Sequence, residues 1–494
     1  MEILKMGTQV STSMGIVEGG MASANIRVFK GIPYAAPPIG ELRWKPTEEA
    51  KPWHGVRSAL DFGPDCPQTM NVGSRATSQS EDCLYLNIWT PVSTTTAALP
   101  VLVWIHGGSY LGGSGSEARL DGTRIAQEGA VVVTFNYRVG IFGFLAHPKL
   151  TQESTHHSSS NYALLDQITA LKWIRKNIAA FGGDSTRVTA FGVSAGSASI
   201  SLLLASPMGK GLFDRAILES PGAGRNLASL EEAEIAGLAL GSDIDELRKF
   251  SSQVILDMTS RLTTKVRGLT SPRILRPIRD GWVIPEDERG VFIEGRLHRM
   301  PIIVGVNADE GTQATSSWPV DTIDDYTKLL ISNFGSMSSQ AQKLYPVEEQ
   351  KMVRASVAEL FADTQFNYGA RLLSLSMARS GYSTWNYLFT RRRSYQNDGP
   401  HHGQEVHFVF GNLEAPYPGE KPIFDETDKE LSLAMIRYWI SFAATGSPEG
   451  TGLKEWPQFD ELEERYLEFG DVIHEGQKWR KDKLDFMEKF FGQS

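Results

Sequence analysis

The sequence predicts an α/β fold in which helices flank a mostly parallel central sheet. Short apolar segments bounded by turn residues, such as 100–105 and 130–135, are typical of buried parallel strands. Segments with helical periodicity alternate with these strands, and the clearest of them covers 161–181. No internal repeat, low-complexity linker or break in composition divides the chain, so we expect a single domain over residues 1–494.

The N-terminal part of the chain is expected to consist mainly of strands. We expect two short strands within 8–30 and a proline-rich extended loop at 31–38, where proline excludes a helix. Further strands are expected at 84–89, 100–105, 130–135, 187–191, 215–219, 300–306 and 383–389, and helices at 161–181, 195–204 and 429–444. Helical periodicity with scattered charges at 228–268 indicates an inserted helical region, which we place at roughly 221–295.

Composition and charge limit the possible functions. The chain has 49 lysines and arginines against 58 aspartates and glutamates, a formal net charge of −9, which gives no support for binding to nucleic acid or to an anionic membrane. No apolar segment reaches the roughly 18 residues of a transmembrane helix. Neither a signal segment nor a glycosylation sequon is visible, so an exported mature protein and a cytoplasmic one both remain open. The oligomeric state is not predicted.

The most informative segment is Gly192-Val193-Ser194-Ala195-Gly196. It follows a β-branched segment and precedes a helical one, so the serine lies at a sharp strand-to-helix turn. This G-x-S-x-G pattern is the nucleophile elbow of serine hydrolases. Gly192 and Gly196 flank the serine because a tight turn and close helix packing leave no room for larger side chains. An ordinary serine in a glycine-rich turn is the alternative, and the surrounding pattern favours the elbow.

A nucleophilic serine needs a base, and the base needs an acid to orient it. In elbow folds the acid and then the histidine follow the serine in the chain. Asp309 and Glu310 directly follow an expected inner strand, and position alone does not separate them. His401 and His402 both lie in a turn-rich loop suited to presenting a side chain. His407 lies in an apolar segment and is predicted to be packed.

An oxyanion hole is the third part that acyl transfer requires, because the tetrahedral intermediate carries a negative charge on oxygen. The segment His106-Gly107-Gly108-Ser109 directly follows the strand at 100–105 and matches the HGGG-type loop of esterases. The other donor is the backbone N–H of Ala195, the residue after the serine. His106 itself is predicted to have a structural role in the loop.

Together these motifs resemble the type-B carboxylesterases over nearly the whole chain. The similarity extends to 28–35, 42–44, 80–88, 181–184, 309–311 and 456–457. It implies an α/β-hydrolase fold with Ser194 as nucleophile, Glu310 as the acid and His402 as the base. His402 is preferred because the segment 408–411 lies at the family's offset after the catalytic histidine.

The resemblance also implies roles for residues around the triad. Gly108, Ser109 and Ala195 would donate to the oxyanion, and Tyr110 and Val193 would line the substrate pocket beside it. Cys66 and Cys83 would form a disulfide. Two structural ion pairs would join Arg43 to Glu81 and Arg138 to Asp184.

Departures from the family pattern narrow the range of substrates that we expect. Val193 stands where the family has an acid, and no tryptophan lies between Cys66 and Cys83, so the parts that bind quaternary ammonium by cation–π contact are missing. We therefore expect a small-molecule neutral carboxylic ester as substrate, hydrolysed through an acyl-enzyme without a metal or an organic cofactor. The same triad acting on a lactone, carbamate, amide or thioester is one alternative. A catalytically silent, neuroligin-like binding protein is the other.

Overall fold

The computed structural model describes residues 8–70, 72–92, 97–262, 269–271, 273–392, 398–415 and 424–492. Residues 1–7, where the sequence shows no apolar signal segment, lie outside the described residues. So does 263–268, a part of the expected helical insertion.

Fourteen strands occur in the described part of the chain, and they form a small and a large sheet. The strands are β1 (Gln9–Ser11), β2 (Ile16–Glu18), β3 (Gly20–Ser23), β4 (Ile26–Pro33), β5 (Val56–Ser58), β6 (Tyr85–Pro91), β7 (Leu99–Ile105), β8 (Val131–Phe135), β9 (Gly183–Val193), β10 (Arg215–Glu219), β11 (Ile302–Asn307), β12 (Thr384–Phe389), β13 (Arg465–Phe469) and β14 (Ile473–Gln477).

The large sheet has eleven strands in the order β14-β13-β12-β11-β10-β9-β7-β8-β6-β4-β3. All neighbours from β13 to β8 pair in parallel. The pairs β13–β14, β8–β6, β6–β4 and β4–β3 at the two ends are antiparallel. The predicted mostly parallel sheet is therefore confirmed. The small sheet consists of β1, β2 and β5.

Seventeen α-helices are present in the described residues, and none of them is long and apolar enough to cross a membrane. They are α1 (Thr123–Gln127), α2 (Gly140–Phe144), α3 (Pro148–Glu153), α4 (Tyr162–Asn177), α5 (Ala195–Ala205), α6 (Leu230–Gly237), α7 (Ile244–Lys249), α8 (Ser252–Asp257), α9 (Glu288–Ile293), α10 (Thr312–Thr315), α11 (Ile323–Phe334), α12 (Ser338–Leu344), α13 (Val353–Ala362), α14 (Tyr368–Arg379), α15 (Glu405–Phe410), α16 (Glu426–Thr445) and α17 (Lys481–Phe491).

The central strands are apolar on both faces because helices cover both sides of the sheet. In β7, Val101 and Val103 belong to one buried cluster, with side chains from α4 and α5. Leu102 and Trp104 belong to a second cluster, with side chains from α1, α15 and α16. Successive side chains of a strand point to opposite faces, so an uninterrupted apolar segment fills two core layers.

The strands and helices expected from periodicity are present, with boundaries shifted by a few residues. The expectation for 8–30 was wrong, because four strands begin in this region where two were predicted. The helices from α11 to α14 and the strands β13 and β14 were not predicted. The helices from α6 to α9 lie within the region expected to be an insertion, between β10 and β11.

The expected disulfide is not formed: Cys66 and Cys83 are both free, buried thiols. The Cys66 Sγ accepts a hydrogen bond from the Val139 N–H at 3.3 Å. A hydrogen bond with Cys66, together with burial, raises the pKa of the Cys83 thiol well above its ordinary value. Disulfide formation proceeds through the thiolate, and these surroundings favour the protonated thiol of Cys83.

One of the two expected ion pairs is present. Arg43 binds Glu81 at 2.5 Å, as expected. The pairing of Arg138 with Asp184 was wrong. Arg138 binds Asp166 of α4 through two contacts of 2.8 and 2.9 Å. Asp184 binds Arg187 at 2.8 Å, because Arg187 lies on the same strand three residues away.

Candidate active site

Ser194 lies at a strained turn between β9 and α5, with φ 58° and ψ −119°. Such a conformation costs on the order of 1–3 kcal/mol and persists only where the surroundings enforce it. Here the Ser194 N–H donates to the Glu219 carbonyl oxygen at 2.9 Å. A Cβ atom on Gly192 or Gly196 would overlap the Ile105 carbonyl oxygen of β7. The two glycines therefore let the turn press against β7, as the sequence predicted.

Ser194 opens onto a cavity of about 430 Å³. Seven of the residues predicted to belong to the site line this cavity: Gly108, Ser109, Tyr110, Val193, Ser194, Ala195 and His402. The remaining predicted residue, Glu310, is buried behind His402 with 1% of its surface exposed. The structure thus brings together residues from loops after β7, β9, β11 and β12.

The Glu310 carboxylate contacts His402 directly. The distance from Glu310 Oε2 to His402 Nδ1 is 2.5 Å. The other oxygen, Oε1, accepts hydrogen bonds from the Ser220 hydroxyl at 2.5 Å and from the Asn307 N–H at 2.7 Å. The carboxylate is therefore fixed from three sides. With the Nδ1 proton shared with Glu310, His402 Nε2 is left to accept a proton.

The alternatives that the sequence left open form a second pair. His401 Nδ1 lies 3.3 Å from Asp309 Oδ2. Neither residue lines the cavity. The neighbouring positions in each loop therefore point in different directions, and the contact between Glu310 and His402 is the one that reaches the cavity.

The electrostatic surroundings of His402 favour its charged form. Burial alone would lower the pKa of the imidazole, but the carboxylates of Glu310 and Glu405 outweigh this and raise it above the ordinary value. Burial and the proximity of Glu310 raise the pKa of Glu405 to about 7. Asn307 Nδ2 donates to Glu405 at 2.5 Å and so links the second carboxyl group to the same loop as Glu310.

Phe366 stacks on the His402 ring. This residue was not predicted from the sequence. The ring centroids lie 4.4 Å apart and the planes are inclined by 27°. Phe366 belongs to a π-helical turn, Asp363–Asn367, inserted between α13 and α14. Such turns occur often at functional sites, and no pattern in the sequence marks this one. The stacking limits the movement of the imidazole.

The loop after β7 presents backbone N–H groups beside Ser194. Gly108, Ser109 and Tyr110 have φ values of 112°, 57° and 64°, and the Leu111 N–H donates back to the Gly108 carbonyl oxygen at 2.9 Å. The N–H groups of Gly108 and Ser109 have no acceptor among the described residues. Ala195 is the first residue of α5 and so lacks an acceptor within the helix. Three N–H groups are thus available at the cavity.

His106 has the structural surroundings that the sequence predicted. It is buried, and its ring stacks on Tyr137 with centroids 4.1 Å apart. Its Nδ1 lies 2.9 Å from the Gly107 carbonyl oxygen. Burial lowers the pKa of His106 to about 4, so the ring is neutral at physiological pH.

Comparison with known proteins agrees with this geometry. A family model described as the carboxylesterase family matches residues 6–487. Fumonisin B1 esterase of Sphingopyxis macrogoltabida is 41% identical over 475 residues, which cover 94% of this chain and 87% of the relative. Para-nitrobenzyl esterase of Bacillus subtilis (strain 168) is 35% identical over 472 residues, covering 92% of each chain.

Solved structures lead to the same family. A PNB esterase structure superposes with a TM-score of 0.84 at 33% identity, covering 97% of this chain and 99% of that one. The chain belongs to the carboxylesterase family and has the α/β-hydrolase fold. It is a serine hydrolase of carboxylic esters.

Proposed function

We propose that Ser194, His402 and Glu310 form the catalytic triad that performs this ester hydrolysis. The observation that carries the proposal is the position of His402. Its Nδ1 contacts the buried Glu310 carboxylate at 2.5 Å while its ring lines the same cavity as Ser194. A base oriented by an acid beside a strained serine is the arrangement that activates a hydroxyl group.

The reaction proceeds through an acyl-enzyme. Ser194 Oγ attacks the ester carbonyl carbon, and its proton passes to His402 Nε2 as the Oγ–C bond forms. The ester C–O bond then breaks, and His402 gives its proton to the departing alcohol. A water molecule, deprotonated by the same nitrogen, attacks the acyl-enzyme, releases the carboxylic acid and restores Ser194. Glu310 stabilises the imidazolium that exists between these transfers.

The negative charge of each tetrahedral intermediate falls on the former carbonyl oxygen. We assign the N–H groups of Gly108, Ser109 and Ala195 as its donors, since all three are available at the cavity. Backbone donors fixed in advance favour the intermediate over the planar ester, which carries less charge on that oxygen. Tyr110 and Val193 are proposed to contact the substrate beside this site.

A simple ester series tests the triad. We would compare hydrolysis of p-nitrophenyl esters from acetate to decanoate by the wild type and by Ser194→Ala. Replacing Ser194 is expected to lower kcat by on the order of 10⁴-fold or more. The chain length that gives the highest kcat/KM would measure how much of the cavity the acyl group fills. Fumonisin B1 belongs in the same assay, because the relative of that name shares 41% identity.

Ser197→Ala is the matched control. Ser197 lies one turn further along α5, and its buried hydroxyl has no hydrogen-bond partner among the described residues, so its removal breaks no hydrogen bond. We expect this variant to keep wild-type activity. Fluorophosphonate labelling should modify the wild type and Ser197→Ala but not Ser194→Ala. Full activity in Ser194→Ala would refute the triad.

A further inference from the structure

The cavity that contains Ser194 and His402 is rich in arginine, although the whole chain has a net charge of −9. Four arginines line it: Arg119, Arg225, Arg273 and Arg276. Among the described lining residues, Glu288 is the one carboxylate. Positive side chains are therefore concentrated at this cavity, although the protein as a whole has a negative net charge. Such a cleft attracts anions and strengthens their binding.

Arg225 forms no ion pair with a carboxylate among the described residues, although Glu288 acts on it electrostatically from across the cavity lining. Its Nη2 donates to the Gln365 carbonyl oxygen at 2.6 Å, and its buried Nε has no hydrogen-bond partner in the part of the chain that the structure describes. Burial lowers the pKa of this guanidinium group to about 10, so it remains charged at neutral pH. A partly buried charge without a paired carboxylate is destabilising, and a bound carboxylate would supply both the charge and the missing acceptor.

Arg225 is also close to the reacting groups. Its guanidinium carbon lies 5.4 Å from the ring centroid of Phe366, and the same ring stacks on His402. The same aromatic ring thus contacts both the cation and the base. A substrate whose ester carbon is at Ser194 could reach Arg225 with a second group only a few bonds away.

The neighbouring charges leave this positive potential in place. Arg119 is neutralised by Glu117, which binds it at 2.8 Å, so it is not the group we invoke. Glu288 accepts hydrogen bonds from the Ser201 hydroxyl and the Gly224 N–H, both at 2.7 Å. Its burial raises its pKa to about 7, so Glu288 is only partly charged at neutral pH.

Gln365 holds two of the arginines together. Its backbone oxygen binds Arg225, and its side-chain oxygen accepts a hydrogen bond from Arg273 Nη2 at 3.1 Å. Two guanidinium groups fixed by one residue offer planar pairs of N–H donors, which match the two oxygens of a carboxylate. Arg276 lines the same cavity and adds a third guanidinium group.

From these contacts we propose that the preferred substrates are esters that carry a free carboxylate, such as half-esters of polycarboxylic acids. Arg225, Arg273 and Arg276 bind that carboxylate while the ester carbonyl lies at Ser194. This proposal rests on the proposed function, and it differs from the neutral substrate expected from the sequence. The carboxylate can belong to the acyl half or to the alcohol half of the ester, and two substrate pairs separate these cases.

The first pair places the charge on the acyl half. Benzyl hydrogen succinate and benzyl 4-oxopentanoate have the same size, but a methyl ketone replaces the carboxylate in the second. We expect the wild type to hydrolyse the succinate with at least about ten-fold higher kcat/KM, measured by release of benzyl alcohol. Arg225→Met should lower kcat/KM for the succinate by about 10- to 100-fold and change that for the ketone ester by less than about three-fold.

The second pair places the charge on the alcohol half, with 4-carboxybenzyl acetate and 4-acetylbenzyl acetate. A preference for the acid in either pair that Arg225→Met removes supports the proposal and assigns the half. Arg299→Met, at an exposed arginine outside the cavity, is the control and should change neither pair. If Arg225→Met folds poorly, Arg276→Met provides the same comparison.

Two results would overturn the proposal: equal or lower efficiency on the acid in both pairs, or an equal loss on acid and ketone in the arginine variants. Neither result would affect the triad. Hydrolysis of the ketone ester that disappears in Ser194→Ala would still support the proposed function. Loss of the triad assignment would show itself separately, as activity that survives Ser194→Ala on every ester.

Discussion

At the scale of single residues, the imidazole of His402 responds to two buried carboxyl groups. Glu310 contacts it directly, and Glu405 acts from further away. Burial opposes the charged imidazolium, but the two carboxylates prevail and raise the pKa of His402 above 6.5. A general base must be neutral to accept a proton. We therefore expect the acid limb of the kcat/KM profile to lie above pH 6.5, as a titration from pH 5 to 9 would show.

The variant Glu405→Gln tests the effect of Glu405 on the pKa of His402. Glutamine keeps an oxygen that can accept the hydrogen bond from Asn307, but it removes the negative charge. Without that charge the imidazolium is less favoured, so the pKa of His402 falls and the acid limb moves to lower pH. The rate at high pH should stay within about ten-fold of the wild type, because the contact with Glu310 remains.

The exposed Glu475 is a suitable control for this experiment. Glu475→Gln should leave the pH profile unchanged. An acid limb that stays in place, or moves to higher pH, in Glu405→Gln would contradict the role of Glu405.

The residues of the site differ in how well they could be predicted from the sequence. Ser194 could be found because its local pattern of strand, glycines and helix is the motif itself. Position alone left Asp309 and Glu310 open, since adjacent loop residues point in different directions and only the fold decides which one meets the histidine. Phe366 and Arg225 could not be predicted, because their role depends on contacts with segments distant in the chain.

At the scale of elements, the packing of α5 against β7 controls the position of Ser194. Gly196, in the first turn of α5, lies against the Ile105 carbonyl oxygen. Gly196→Ala should therefore displace the helix or unfold it locally. We expect a loss of about 1–3 kcal/mol in the free energy of unfolding, measured by urea denaturation, and a strong loss of activity.

Gly290 offers a matched comparison within a helix. It lies in α9, and a Cβ atom there would meet no described atom within 4 Å apart from its chain neighbours and its own helix backbone. Gly290→Ala should stabilise the protein by about 0.5–1 kcal/mol, because alanine restricts the unfolded chain and favours the helix. Equal effects of the two substitutions would refute the steric explanation for Gly196.

The elements themselves differ in how well periodicity reveals them. The inner strands are apolar and bounded by turns, so their positions were predicted to within a few residues. The helices α13 and α14 were missed, because most of their residues are buried, including polar ones such as Arg371 and Ser374. The π-helical turn between them also shifts the phase of the apolar residues, which hides the continuity of the helix.

At the scale of the whole molecule, the net charge does not show where the positive side chains lie. The net charge of −9 indicated an acidic surface with no polyanion partner. The fold nevertheless gathers four arginines from three segments of the chain around one cavity. Composition reports totals, whereas the sign of the charge at a site depends on which side chains the topology brings together. The neutral substrate expected from the sequence rested on motifs alone and could not include this effect.

The acidic residues inside the protein lead to a prediction about stability. Burial raises the pKa of Glu288, and also that of Glu405, to about 7, so both groups retain protons in the folded state that the unfolded chain releases above pH 4.5. The folded state then binds more protons than the unfolded state between pH 4.5 and about 7, and the free energy of unfolding falls as the pH rises through this range. Each group contributes on the order of 3 kcal/mol to that fall.

The variant Glu288→Gln isolates one of these contributions. The single oxygen of glutamine can accept the hydrogen bond from the Gly224 N–H, and its NH2 group can donate to the Ser201 hydroxyl oxygen, but it does not titrate. Urea unfolding at pH 5 and pH 8 should show a smaller loss of stability between the two pH values in the variant than in the wild type. At pH 8 the variant should be the more stable protein, because it no longer buries a carboxylate there. A pH dependence identical to that of the wild type would mean that Glu288 is already ionised in the fold, held in that form by the arginines of the cavity.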